Sequence, residues 1–160
     1  MKRLAPAVLL MLVMGSASAG ENFVARKSVS LDAAMRLVAA AAAEVERRGV
    51  GVSIAVVDAA GRLVHFSRMD DAGNSSVDVA IRKAEHAVNY RRDTVFHQDL
   101  LTEGNTVVLG LPDSLPIAGG LMLKVGEDVV GAVGISGAAS SVDVQIARKG
   151  MEAAGFPPPG

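Results

Sequence analysis

Apolar residues recur with a helical period in "SLDAAMRLVAAAAAEVERRG", where Leu31, Ala34, Met35, Val38, Ala41, Ala42 and Val45 share one face and Arg36, Glu44, Arg47 and Arg48 fall outside it. This predicts a core-packing helix with Ser30 as its cap and Gly49 as its stop. The period then drops to two. "GVSIAVVDAAGRLVHFSRM" holds two β-rich runs joined by Asp58-Ala59-Ala60-Gly61, the composition of a hairpin turn. The first run is apolar on both faces and suits a central strand, while the second alternates.

"DDAGNSS" reads as a loop. A second helix follows, opened by Ser75 with Asp78 near its positive end, and Val77, Ala80, Ile81, Ala84, Ala87 and Val88 form its core stripe. A shorter helix is expected from near Thr94 to before Gly104. From "TVVLGLPDSLPIAGG" onward, glycine and proline punctuate short apolar runs. These predict a loop with a short strand about 115–117, then a hairpin of 121–125 and 129–136 around Gly126-Glu127-Asp128. Ser140, followed by Asp143, is expected to cap a last helix running to about Ala154, and "FPPPG" reads as a frayed tail. Hairpins rather than strand–helix–strand alternation predict the α+β class, with a roughly five-stranded, mainly antiparallel sheet flanked by helices.

The ends and the composition set the setting. "MKRLAPAVLLMLVMGSASAG" has a basic start, an apolar run from Leu4 to Met14, and small residues at Ala17 and Ala19. The run is shorter than the ~20 residues a membrane span needs, so residues 1–19 are expected to be a cleaved export signal. The mature chain would then begin near Gly20, form one domain over 20–155 with a tail at 156–160, and work in the periplasm or outside the cell. No cysteine is present, so stability must come from packing and subunit association rather than disulfides. Without Lys2 and Arg3, 14 basic residues face 17 acidic ones. That balance offers no footprint for nucleic acid.

Candidate chemistry gathers in "KAEHAVNYRRDTVFH". Opposite the core stripe of the second helix lie His86, Val79, Arg82, Lys83 and Tyr90, a face that suits a ligand shelf or a subunit contact as well as plain solvation. His97 follows beside Phe96, after Arg91 and Arg92. Histidine ligates haem iron and cationic side chains meet haem propionates, so the segment holds the parts of a haem edge. His86 and His97 lie too far apart in sequence, across an expected break, to make an i, i+4 metal pair. The glycines of "AGG" and "GAVGISG" lack the setting of a dinucleotide loop and are expected to allow close backbone approach. There is no nucleophile elbow and no cysteine nucleophile.

In this order and spacing, "SIAVVDAAGRLVHFSRMD", "SSVDVAIRKAEHA", "LPIAGGLMLKVGEDVVGAVGISG" and "VDVQIARKG" resemble the GlcG/HbpS family of haem-binding proteins over Leu31 to about Gly155. The family also includes a domain fused to some corrinoid adenosyltransferases. The resemblance implies a compact α+β domain that assembles into dimers or larger rings, and haem binding in some exported members. Two positions depart from the family pattern. Glu85 and His86 stand where an aromatic residue and threonine are usual, and Met122 stands where proline usually follows the double glycine.

The expected cofactor is haem, with His86, Tyr90, Arg91, Arg92, Lys83, Met122, Gly119 and Gly120 as candidate contacts. His86 is the expected iron ligand, with His97 or Met122 as a possible second. The leading expectation is an exported, non-enzymatic haem-binding protein, with a homo-oligomer as the expected assembly. Two alternatives remain: an organic-acid-binding accessory protein or acid–base enzyme using His86 or His97 as base, and a structural oligomer without ligand.

Overall fold

The computed structural model describes Asn22 and residues 24–156. The expected signal, residues 1–19, and the end of the tail lie outside the described residues. The elements are α1 (Leu31–Arg48), β1 (Ser53–Asp58), β2 (Leu63–Arg68), α2 (Ser76–Tyr90), α3 (Thr94–Thr102), a 3-10 turn (Thr106–Gly110), β3 (Gly120–Val125), β4 (Asp128–Ser136) and α4 (Ser140–Ala153). The strands form one antiparallel sheet in the order β2-β1-β4-β3. No described helix is long and apolar enough to cross a membrane.

α1 carries both expected caps. Ser30 Oγ accepts the Ala33 N–H, and Gly49, at φ 64°, donates its N–H to Val45 and Glu46. The buried stripe is turned from the expected one: Leu37 is buried, whereas Leu31 and Met35 are exposed. Leu37 and Ala41 lie against Gly150 of α4, and that helix–helix contact decides which side turns inward. The β1–β2 turn forms as expected, with Asp58 Oδ1 accepting the N–H groups of Ala60 and Arg62.

The sheet separates two unequal layers. One face presents Ile54, Val56, Leu121, Leu123, Val133 and Ile135 to α1 and α4 in the main apolar core. The other face is built of small residues, Ser53, Ala55, Gly120, Ala132 and Gly134, and α2 answers with Ala80, Ala84 and Ala87. The two backbones therefore almost touch. A Cβ on Gly134 would lie 2.0 Å from Ala80 O, and one on Gly120 would lie 2.2 Å from Lys83 O. The glycines serve close backbone approach, as expected.

Among the described residues the sheet has four strands, not five. The strand expected about 115–117 is irregular chain: Leu115 N–H donates to His86 Nδ1, Pro116 has no N–H, and Ile117 N–H turns back onto Leu115 O at 2.8 Å. The free edge of β3 is also closed. Its outward N–H groups at Gly120 and Met122 donate to Thr94 Oγ1 and Asp93 Oδ1, each at 2.9 Å, which takes them from any further strand.

Neither Ser75 nor Ser140 caps its helix with a side chain, since Ala139 holds the N-cap position of α4 and Asp143 turns inward. Phe156 is not frayed: it is 8% exposed, packs in the main core, and donates its N–H to Met151.

Gly134→Ala is expected to destabilise the protein by about 3 kcal/mol in urea unfolding, because the new methyl must lift α2 off the sheet. Gly73→Ala, whose Cβ meets nothing within 4 Å, is expected to stay within about 0.5 kcal/mol of the parent.

Candidate functional site

Seating α2 directly on the sheet draws Lys83 into the interior. Lys83 is 1% exposed and its Nζ donates to Asp143 Oδ2 and to Ile135 O, both at 2.9 Å. Asp143 Oδ1 accepts the Ala138 N–H, so both ends of the pair are held. Burial raises the Asp143 carboxyl above its ordinary value, against the pull of Lys83. Lys83 was expected on the outer face, but its Nζ reaches no surface and is already bonded inside the fold. Gly119 lies over the same pair, where a Cβ would come 2.8 Å from Lys83 Nζ.

One turn further along α2, His86 is also fully buried. The cover is the chain itself. α2 ends at Arg91 in the left-handed region (φ 50°), the chain reverses, and α3 begins at Thr94. His97 is thereby brought onto His86 with Nδ1 2.7 Å from His86 Nε2, a meeting that the sequence spacing alone did not establish. From the loop side, Leu115 N–H donates to His86 Nδ1 at 2.9 Å.

These bonds order the protons. An amide can only donate, so His86 Nδ1 is bare and its proton sits on Nε2. His86 Nε2–H then donates to His97 Nδ1, and His97 carries its own proton on Nε2. His97 is itself buried, 6% exposed, and its Nε2 has no hydrogen-bond partner among the described residues. Adding a proton to His86 would aim it at an amide hydrogen. Burial, with His97 beside it, lowers the His86 pKa to about 4, and burial with Arg92 nearby also lowers that of His97.

An aromatic cage surrounds the pair. Tyr90 and His97 lie 4.8 Å and 4.8 Å from His86, centroid to centroid, and Phe96 lies 5.1 Å from His97. Tyr90 OH donates to Pro112 O, and the Arg92 guanidinium stacks 4.4 Å above the Phe96 ring. Outside the cage Val95 and Phe96 of α3, Val107 and Leu109 of the 3-10 turn, and Ile117 of the loop are all exposed.

His86, Tyr90, Arg92 and His97 therefore meet in one place. Arg91 does not join them: it lines a separate cavity with the N-terminal arm and the β3–β4 hairpin. Met122 packs in a small apolar cluster with Val57, Ala84, Ala87, Val88 and Ala132. Sequence reasoning missed Asp143 and Leu115. Asp143 read as a helix cap, and a backbone amide carries no mark in a sequence.

The family model for haem degrading protein HbpS-like matches residues 29–152. The chain belongs to the HbpS-like family. Among HbpS-like relatives, protein GlcG of Escherichia coli (strain K12) is 32% identical over 108 residues, covering 68% of this chain and 81% of GlcG. A crystal structure of a double mutant of Streptomyces reticuli HbpS superposes with a TM-score of 0.78 at 31% identity, covering 94% of this chain and all of that one. The crystal structure of a PduOC:heme complex gives a TM-score of 0.76 at 26% identity, covering 83% and 99%. The α+β fold seen here is thus the fold of these HbpS-like structures.

Two outcomes are expected. Lys83→Met leaves a buried carboxylate and should cost about 3–5 kcal/mol in urea unfolding, most of it recovered in Lys83→Met/Asp143→Leu. The histidine pair should make stability depend on pH. The unfolded chain protonates His86 near 6.5 but the folded chain only near 4, so the unfolded state binds more protons as pH falls through that window. Stability present above about pH 6.5 is therefore lost toward pH 4, by roughly 2–3 kcal/mol at pH 4.5. His86→Gln should flatten this slope in urea midpoints measured from pH 7.5 to 4.5.

Proposed function

We propose that this is an exported haem-binding protein that takes haem on the α3 and loop face, with His97 Nε2 as the axial iron donor. The observation that carries the reading is His97, 6% exposed and with Nε2 unbonded among the described residues, packed edge-on against Phe96 with Arg92 over that ring, on a segment where Val95, Val107, Leu109 and Ile117 are exposed. Apolar side chains and an aromatic ring suit a porphyrin face, an imidazole suits its iron, and a guanidinium suits a propionate. Family membership and the PduOC:heme complex support the same cofactor. The leader at residues 1–19 supports export.

The donor set suits haem better than a bare ion. Among the described residues, no three His, Cys, Asp or Glu side chains gather as metal ligands. Haem brings four nitrogens of its own and asks the protein for an axial one.

His86 then stands behind the ligand instead of being it, since both of its nitrogens are bonded within the fold. To offer a lone pair at Nε2, His97 must carry its proton on Nδ1 and donate it to His86 Nε2. His86 must then hold its proton on Nδ1, and Leu115 N–H loses its acceptor. Ligand strength at His97 is thus tied to the loop around Leu115. Met122, packed against Ala84, Ala87 and Val88, does not join this face as a second ligand.

Hemin titration of the purified full chain should give a saturable shift of the Soret band. His97→Ala should weaken binding at least tenfold, whereas His86→Gln should keep a saturable, altered spectrum. A hemin spectrum unchanged by the parent protein would end the haem reading. Loss in His86→Gln with retention in His97→Ala would instead move the ligand back to His86.

A further inference from the structure

The two adjacent arginines at the end of α2 have parted company. The left-handed turn at Arg91 sends Arg92 to Phe96, while Arg91 lines a cavity of about 470 Å³ on the other side of the helix end. The cavity is walled by the N-terminal arm, the β1–β2 turn and the β3–β4 hairpin. The arm is tied in place. Lys27 pairs with Asp128 at 2.9 Å, Ser28 Oγ accepts the Ala59 N–H at 3.3 Å, and Val29 N–H donates to Val130 O at 2.7 Å.

Charge in the cavity is unbalanced. Arg26, Lys27 and Arg91 face it, and among the described residues Asp128 is the only acidic one in its lining. Asp128 is already spent on Lys27, whose ammonium holds the carboxyl below its usual range, with Arg91 adding to the pull. Arg26 and Arg91 make no ion pair among the described residues, and the Asn89 amide beside them can donate.

From this geometry we infer that the cavity is a second binding site, separate from the haem face, for a small doubly charged oxyanion. Arg26 and Arg91 each offer a guanidinium fork to a carboxylate or phosphate group, with Asn89 completing the polar wall. The volume of about 470 Å³ has ample room for a molecule of a few carbons, and the charge of the lining sets the preference. A dicarboxylate and a phosphate present the same paired negative charge, so the chemistry is shared and the source is decided by titration.

The test is isothermal titration of the full chain with succinate and, separately, with inorganic phosphate, at ionic strength matched with sodium chloride. Saturable one-to-one binding of either anion is expected. Arg26→Gln, on the exposed arm, and Arg91→Asn, which tolerates the left-handed backbone, should each weaken it at least tenfold. Binding of succinate alone would assign the site to dicarboxylates, and of phosphate alone to phosphoryl groups. No saturable heat with either anion, or equal binding by both variants, would overturn the inference. The hemin titration is independent of these residues, so either reading can fail while the other stands.

Discussion

Everything at the site depends on how closely α2 sits on the sheet. With no side chain at Gly120 or Gly134 and only methyl groups opposite, the helix backbone rests on the strand backbones. At that separation the helix exposes less of itself than its wheel suggests. Lys83 sinks far enough to bond Ile135 O and Asp143, and His86 sinks far enough for α3 and the loop to close over it. A bulkier sheet surface would raise α2, lengthen these bonds and separate the two imidazoles.

The same seating divides the labour along one helix. The Lys83–Asp143 pair joins α2, β4 and α4 in the interior, where an ion pair fixes one arrangement more than it adds stability. One turn on, the His86–His97 pair joins α2 to α3, and Leu115 ties the loop to His86. At the end, the left-handed Arg91 separates an arginine stacked on Phe96 from a cavity-facing one. Asp93 and Thr94 start α3 and also close the β3 edge, so the turn that delivers His97 is anchored to the sheet.

Much of this architecture is legible in the sequence. Ser30 and Gly49 bound α1, and Asp58 through Gly61 make the hairpin turn, because those signals are local. The double glycine and the "GAVGISG" run are read correctly as sites of close approach. What is not legible is set by partners far along the chain. Lys83 pairs with a residue sixty positions away, and α1 turns Leu37 inward because Gly150 lets α4 approach. The fifth strand fails for a partly similar reason: Leu115 N–H is claimed by His86 from α2, while Ile117 N–H turns back onto Leu115 O. A hint was nonetheless present. Lys83 follows Ala80 by three and precedes Ala87 by four, the spacing of the buried alanines themselves.

The central claim is that the fold fixes the two imidazoles as a neutral, ordered pair with the outer nitrogen of His97 left unbonded. The chain has only three histidines, so nitrogen–proton correlation spectra of the full chain at pH 7.5 can assign each tautomer. The account predicts that His86 and His97 both carry their proton on Nε2, with both Nδ1 atoms bare and accepting hydrogen bonds. A His86 proton on Nδ1, or rapid exchange between tautomers at either ring, would contradict it.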